Sequence, residues 1–259
     1  MRNKIAFTLA EVLITLGVIG VVAAMTMSVL IQNYRQNVVV TQLKKSFSEL
    51  SQALQLAESE HGLMEDWNFE DIRNIEDEDI RLAKNGNNTK LFMEEYLMKH
   101  LKIVKKCEAD DTSCWTTAKT MNGQQSACYT TRNGGVPSFI TQSGYSVMGW
   151  VAGNGGDSGI CIDIDGPNKG AGIVGKDVFI MYIFFRNSTQ ETSAGDVVNY
   201  RKGIYLYGGF ENGLTEDDLL NNTNCGCNKE STDSWAGAYC GLLIQSNGWK
   251  VPKNYPIRF

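Results

Sequence analysis

The side chains best suited to chemistry crowd one short run. Asp163, Asp165, Asn168 and Asp177 bring oxygen donors into the stretch Asp163-Ile-Asp165-Gly166-Pro-Asn168-Lys-Gly170, which continues to Gly175-Lys-Asp177. Hard oxygen ligands of this kind suit Ca²⁺, which gathers about six to eight of them. The spacing departs from an EF-hand, with no acid at the fifth position and no Glu at the twelfth. Asx turns and hydrogen bonds to loop backbone are the other use of the same side chains. Seven cysteines, Cys107, Cys114, Cys128, Cys161, Cys225, Cys227 and Cys240, offer either disulfides or thiolate ligands. A zinc site built on Cys225, Cys227 and Cys240 lacks both a fourth ligand and the usual C-x₂-C spacing. The two histidines, His61 and His100, stand outside any Ser or Cys nucleophile motif. No P-loop or dinucleotide fingerprint occurs, and the Gly153–Gly159 run lacks the helix needed to cradle a phosphate. An enzyme is not the expectation.

The elements that carry these residues follow from where the apolar content falls. The chain has 259 residues, 42% hydrophobic and 20% charged, which is globular composition rather than disorder or a multi-span membrane protein. Its net charge of −5, with no basic run interleaved with aromatics, predicts no nucleic-acid partner. From Val12 to Tyr34 there is no charge at all, and as a helix this stretch reaches roughly 35 Å, enough to cross the ~30 Å hydrocarbon of a bilayer. The short Met1–Ala6 segment is basic through Arg2 and Lys4, which predicts a cytoplasmic N-terminus and an outward-facing remainder. A conventional signal would be cut near Ala23–Met25, but the apolar run is too long for that. Glu11 also sits in its first turn, where an unpaired carboxylate costs about 2.5–3.5 kcal/mol or more. That carboxylate calls for a partner.

The segment Ala6-Phe7-Thr8-Leu9-Ala10-Glu11-Val12-Leu13-Ile14 resembles the prepilin cleavage and methylation motif of type IV pilins and type II secretion pseudopilins. The motif is a small residue, then Phe, with Glu four places further on, ahead of an unbroken apolar helix; Ala6 stands where the family usually has Gly. The resemblance implies that a prepilin peptidase removes residues 1–6, cutting between Ala6 and Phe7 and methylating the new N-terminus. It implies that Glu11 neutralises the Phe7 amine of a neighbouring subunit, and that the product is a structural subunit of a filament. A minor pilin or pseudopilin is the closest expectation, in the inner membrane with its head outside the cytoplasm. The acidic run is similar to a loop of pseudopilin-like heads, and the major pseudopilins bind calcium there. A membrane-anchored module that binds through Trp115, Tyr145 or Trp150 and never polymerises is the alternative.

Beyond the span, Val39, Leu43, Phe47, Leu50, Leu54 and Ala57 recur at helical steps, so one helix is predicted over 7–59, its amphipathic half at 35–59, stopped by His61-Gly62. Residues 60–259 form the head. The acid-rich stretch 58–81 reads as a solvated loop and Leu91–Val104 as a helix. Strands are predicted only from Tyr145 onward, with Ile160, Ile162 and Ile164 on a half-buried one, Val178–Phe185 more deeply buried, and a third over Gly203–Tyr207. A last helix is predicted from Asp233-Ser234 to Asn247. The fold class is α+β, an antiparallel sheet lying on a long stem. An outward-facing head makes disulfides the natural use of the cysteines, with Cys107–Cys114 closing a short loop and Cys240 joining Cys225 or Cys227; the odd count leaves at least one over.

Overall fold

One helix, α1 (Leu9–His61), carries both the apolar and the amphipathic stretch, in a computed structural model. The structure describes residues 8–72, 74–109, 111–129, 136–151, 158–167, 169–191, 197–211 and 213–259. At 1.5 Å per residue α1 is about 80 Å long. Thr8 caps its start. Its end is set by Gly62, whose φ of 84° is a conformation that favours glycine and whose N–H closes on Glu58 O at 3.0 Å.

The stem meets the head through the predicted stripe. Leu43, Leu50, Ala53, Leu54 and Ala57 are buried, with Val39 and Phe47 packed at the margin. Ser46 is buried among them because its hydroxyl donates to Leu43 O at 2.9 Å, so no polar group is orphaned. Each fully buried leucine contributes about 1.5–3 kcal/mol.

The acid-rich stretch is not wholly a solvated loop. Trp67 and Phe69 are buried in the core, and Trp67 stacks on Tyr96 at 4.0 Å between ring centroids. Asp77 then caps α2 (Glu78–Leu91), accepting from Ile80 N, so the helix starts well before Leu91. It tightens and widens through single turns at Phe92–Leu97 and Met98–His100 and ends there. Acidic composition concealed the few aromatic anchors that hold this region down.

The sheet also starts earlier than Tyr145. Its strands are β1 (Ile103–Cys107), β2 (Ser138–Thr141), β3 (Ser146–Trp150), β4 (Ser158–Asp163), β5 (Val178–Phe184) and, after the hairpin β6 (Ser188–Glu191) and β7 (Val197–Tyr200), β8 (Gly203–Leu206). The six-stranded order is β1-β2-β3-β4-β5-β8, antiparallel throughout. Lys105 and Lys106 therefore lie on an edge strand, not on a helix. Strand β4 is buried on both faces. Along β5 the alternation is plain: Phe179, Met181 and Ile183 face the stem core, whereas Val178, Ile180, Tyr182 and Phe184 enter a second core with Trp115, Trp150, Cys128 and Cys161.

Two short helices complete the described residues, α3 (Glu216–Asn221) and α4 (Cys240–Ser246). The last helix begins at Cys240 rather than at Ser234, because residues 234–239 run in turns and Gly237, at φ 89°, is outside helical conformation. The architecture is α+β as expected.

Candidate assembly helix and candidate cation loop

The first turn of α1 gives Glu11 a partner within its own chain. Its carboxylate accepts from Thr8 N and Thr8 Oγ1, each at 2.8 Å, while Glu11 N donates to Thr8 Oγ1 at 3.3 Å. This is a capping box, and its T-x-x-E spacing was open to reading from the sequence alone. Thr8 is the partner of Glu11 that the sequence reading did not name. Ala6 and Phe7, the predicted cleavage pair, lie outside the described residues. The apolar side chains that follow, Leu13, Leu16, Ile19 and Val22 among them, are exposed, and α1 is the described helix long and apolar enough to cross a membrane.

The acidic residues sit in the turn between β4 and β5. Asp163 ends β4 and is 3% exposed, and Asp177 precedes β5 and is 4% exposed. Asp177 is already engaged, accepting from Ala171 N, from Gly172 N at 3.0 Å and from Ile173 N at 2.6 Å. Burial nevertheless pushes its carboxyl up, against those three donors. Gly170, at φ 63°, leaves the gap between Asp165 Oδ2 and Asp177 Oδ2, which any Cβ would fill. Asn168 lies outside the described residues.

Asp163 and Asp165 face each other, and Oδ1 of each is buried with no donor to satisfy it. Two carboxylates have no proton to share unless one is neutral. Burial first, then Asp165 and Asp177, raises the Asp163 pKa to about 9. So buried a set of acids needs a proton or a cation between them, and the donors are the hard oxygens that Ca²⁺ takes. Three members of the predicted set, Asp163, Asp165 and Asp177, are thus brought together as hard oxygen donors. The loop opens on a cleft of 540 Å³ walled by Tyr34, Arg35 and Val38 of α1, at the base of the head where the stem leaves its apolar half.

The cysteines resolve into Cys107–Cys114, Cys128–Cys161 and Cys227–Cys240. Of the alternatives for Cys240, its partner is Cys227. Cys225 is the free thiol, next to Tyr207 Oη at 3.7 Å, and burial pushes it up to about 11, away from the reactive thiolate. The disulfide also removes the sulfurs that a zinc site at Cys225, Cys227 and Cys240 requires. The aromatic residues proposed for ligand binding are buried: Trp115 and Trp150 at 1% exposure and Tyr145 at 3%. They pack the two cores instead.

No curated protein and no solved structure matches this chain. Residues 29–259 match the profile of a family of unknown function, DUF6613, so the match begins inside α1 and takes in the whole head. The chain belongs to the family DUF6613.

Proposed function

We propose that this chain is a pilin-like structural subunit, a minor pilin or pseudopilin, that a prepilin peptidase cuts before Phe7 and that joins other subunits through the apolar half of α1. The observation that carries the reading is the division of one unbroken helix. Its first half leaves a continuous apolar surface uncovered, and its second half is sunk in the head. Lipid covers that surface before assembly, and the stems of neighbouring subunits cover it afterwards.

The capping box refines the role of Glu11. Thr8 becomes the second residue of the processed chain and keeps its amide and hydroxyl, so Glu11 stays partly satisfied while the subunit waits in the membrane. The N-terminal amine of a staggered neighbour then supplies the opposite charge, and the pair is tolerated in lipid where either charge alone is not. Three disulfides fit a head on the oxidising side of the inner membrane. Asp163, Asp165 and Asp177 would hold Ca²⁺, which would neutralise their mutual repulsion at the base of the head.

The test is intact mass and N-terminal sequencing of the protein from its native membrane, together with Glu11→Ala. We expect a start at N-methyl-Phe7, and a variant that inserts and folds its head but is absent from sheared filament fractions. A start at Met1, with neither the parent nor Glu11→Ala found in filament fractions, would mean an anchored monomer.

A further inference from the structure

The two histidines of this chain are far apart in sequence, yet the fold brings them together over one carboxylate. Glu60 and His61 form the last turn of α1, and His100 closes the turn that leads into β1. The imidazole centroids are 6.3 Å apart. His61 Nε2 lies 3.6 Å from Glu60 Oε1, and His100 Nε2 lies 3.7 Å from Glu60 Oε2. One ligand atom from each residue falls within 4.8 Å of the other two.

The two histidine–carboxylate separations are too long for hydrogen bonds and within a few tenths of an ångström of what a metal imposes. A tetrahedral ion bonded at about 2.0–2.1 Å holds its ligand atoms roughly 3.3 Å apart. The arrangement is also unfinished as it stands. The His100 side chain is 10% exposed, and its Nε2, aimed at this cluster, is buried with no hydrogen-bond partner. A buried imidazole nitrogen left in that state is unusual and asks for a ligand. The neighbouring lysine, Lys99, is paired with Glu95. Tyr96 meets the His61 ring edge-on at 5.1 Å and limits its rotation.

We propose that Glu60, His61 and His100 form a Zn²⁺ site that clamps the end of the stem helix to the head. Two imidazoles and a carboxylate are the donors of a borderline transition ion, not of Ca²⁺. Glu60 remains more than half exposed, which leaves solvent access for a water in the fourth position. The site is independent of the filament reading, since it lies at the far end of α1 from Glu11.

The test uses the full chain in detergent micelles, stripped with chelator, on a Cys225→Ser background that removes the free thiol. Zn²⁺ alone is titrated by calorimetry, with Ca²⁺ as the contrasting ion and Asp163→Asn as the control for the acidic loop. We expect one Zn²⁺ per chain, a higher melting temperature on binding, and no change with Asp163→Asn. Loss of an outer-shell partner costs about 10–100-fold in metal affinity, so His61→Gln and His100→Gln should each lose at least about 100-fold. His61→Gln is the decisive variant, because its side chain is partly exposed and an unchanged metal-free melting temperature certifies its fold. Zn²⁺ affinity unchanged in a folded His61→Gln, or no Zn²⁺ bound to the parent, overturns the site.

Discussion

The two halves of α1 share one backbone and opposite surroundings. Leu13, Leu16, Ile19 and Val22 are as apolar as Leu43, Leu50 and Leu54, yet the first set is exposed and the second is buried. The first half is apolar all round, whereas the second alternates its apolar stripe with Lys44, Lys45, Ser48 and Gln52. A helix greasy on every side has no polar face to give to water and must be enclosed by lipid or by other helices. A helix with one stripe needs a single surface, which the sheet and the turns after α2 provide.

That contrast breaks most sharply in the buried half. Leu50→Ala removes a fully buried side chain and is expected to destabilise the head by about 2–5 kcal/mol. Ile19→Ala, the same kind of truncation in the exposed half, leaves head melting in detergent unchanged; equal losses in thermal melts would abolish the distinction. Val22→Arg tests the other half, with an insertion penalty of about 2.5–3.5 kcal/mol near the centre of a span. Less protein in carbonate-washed membranes is expected, with the head of the inserted fraction still folded and oxidised.

A smaller effect sharpens the boundary at the far end of the stem. Glu58 accepts from Lys202 Nζ at 2.7 Å and from Met64 N at 3.0 Å, tying α1 to the segment before β8. Burial pushes its carboxyl up, but the ammonium and the amide outweigh that, and its pKa is net lowered. A carboxyl depressed on folding stabilises above its unfolded pKa of about 4.3, and the benefit is lost as pH falls through the folded value. Glu58→Gln is therefore expected to lower stability by about 1 kcal/mol at pH 7, with the difference from the parent vanishing in melts at low pH.

Local patterns were legible from the residues. The long helix, its stop at Gly62, the stripe from Val39 to Ala57, and strands at β4, β5 and β8 all rest on periodicity or on one conformationally special residue. The half-buried reading of β4 failed because alternation shows one apolar face and is silent about Cys161, which a disulfide and Trp150 enclose on the other. Strand β1 was missed because Ile103–Cys107 carries lysines on an edge, where charge is compatible with a strand, and β2, β3, β6 and β7 were not named as strands either. The acidic loop was readable as a set of oxygen donors, but the burial of Asp163 and Asp177 and the clearance at Gly170 were not.

The sequence by itself determined what depends on neighbours within a few turns: an apolar helix of membrane length, the Glu11 it contains, and an amphipathic continuation. Spacing along the chain decides these, because helix geometry converts it directly into faces. Only the tertiary structure decided which cysteines pair, which aromatics are buried, and that Glu60, His61 and His100 meet. Those contacts join residues far apart in sequence, and their geometry is set by how α1, α2 and the sheet pack rather than by any local spacing.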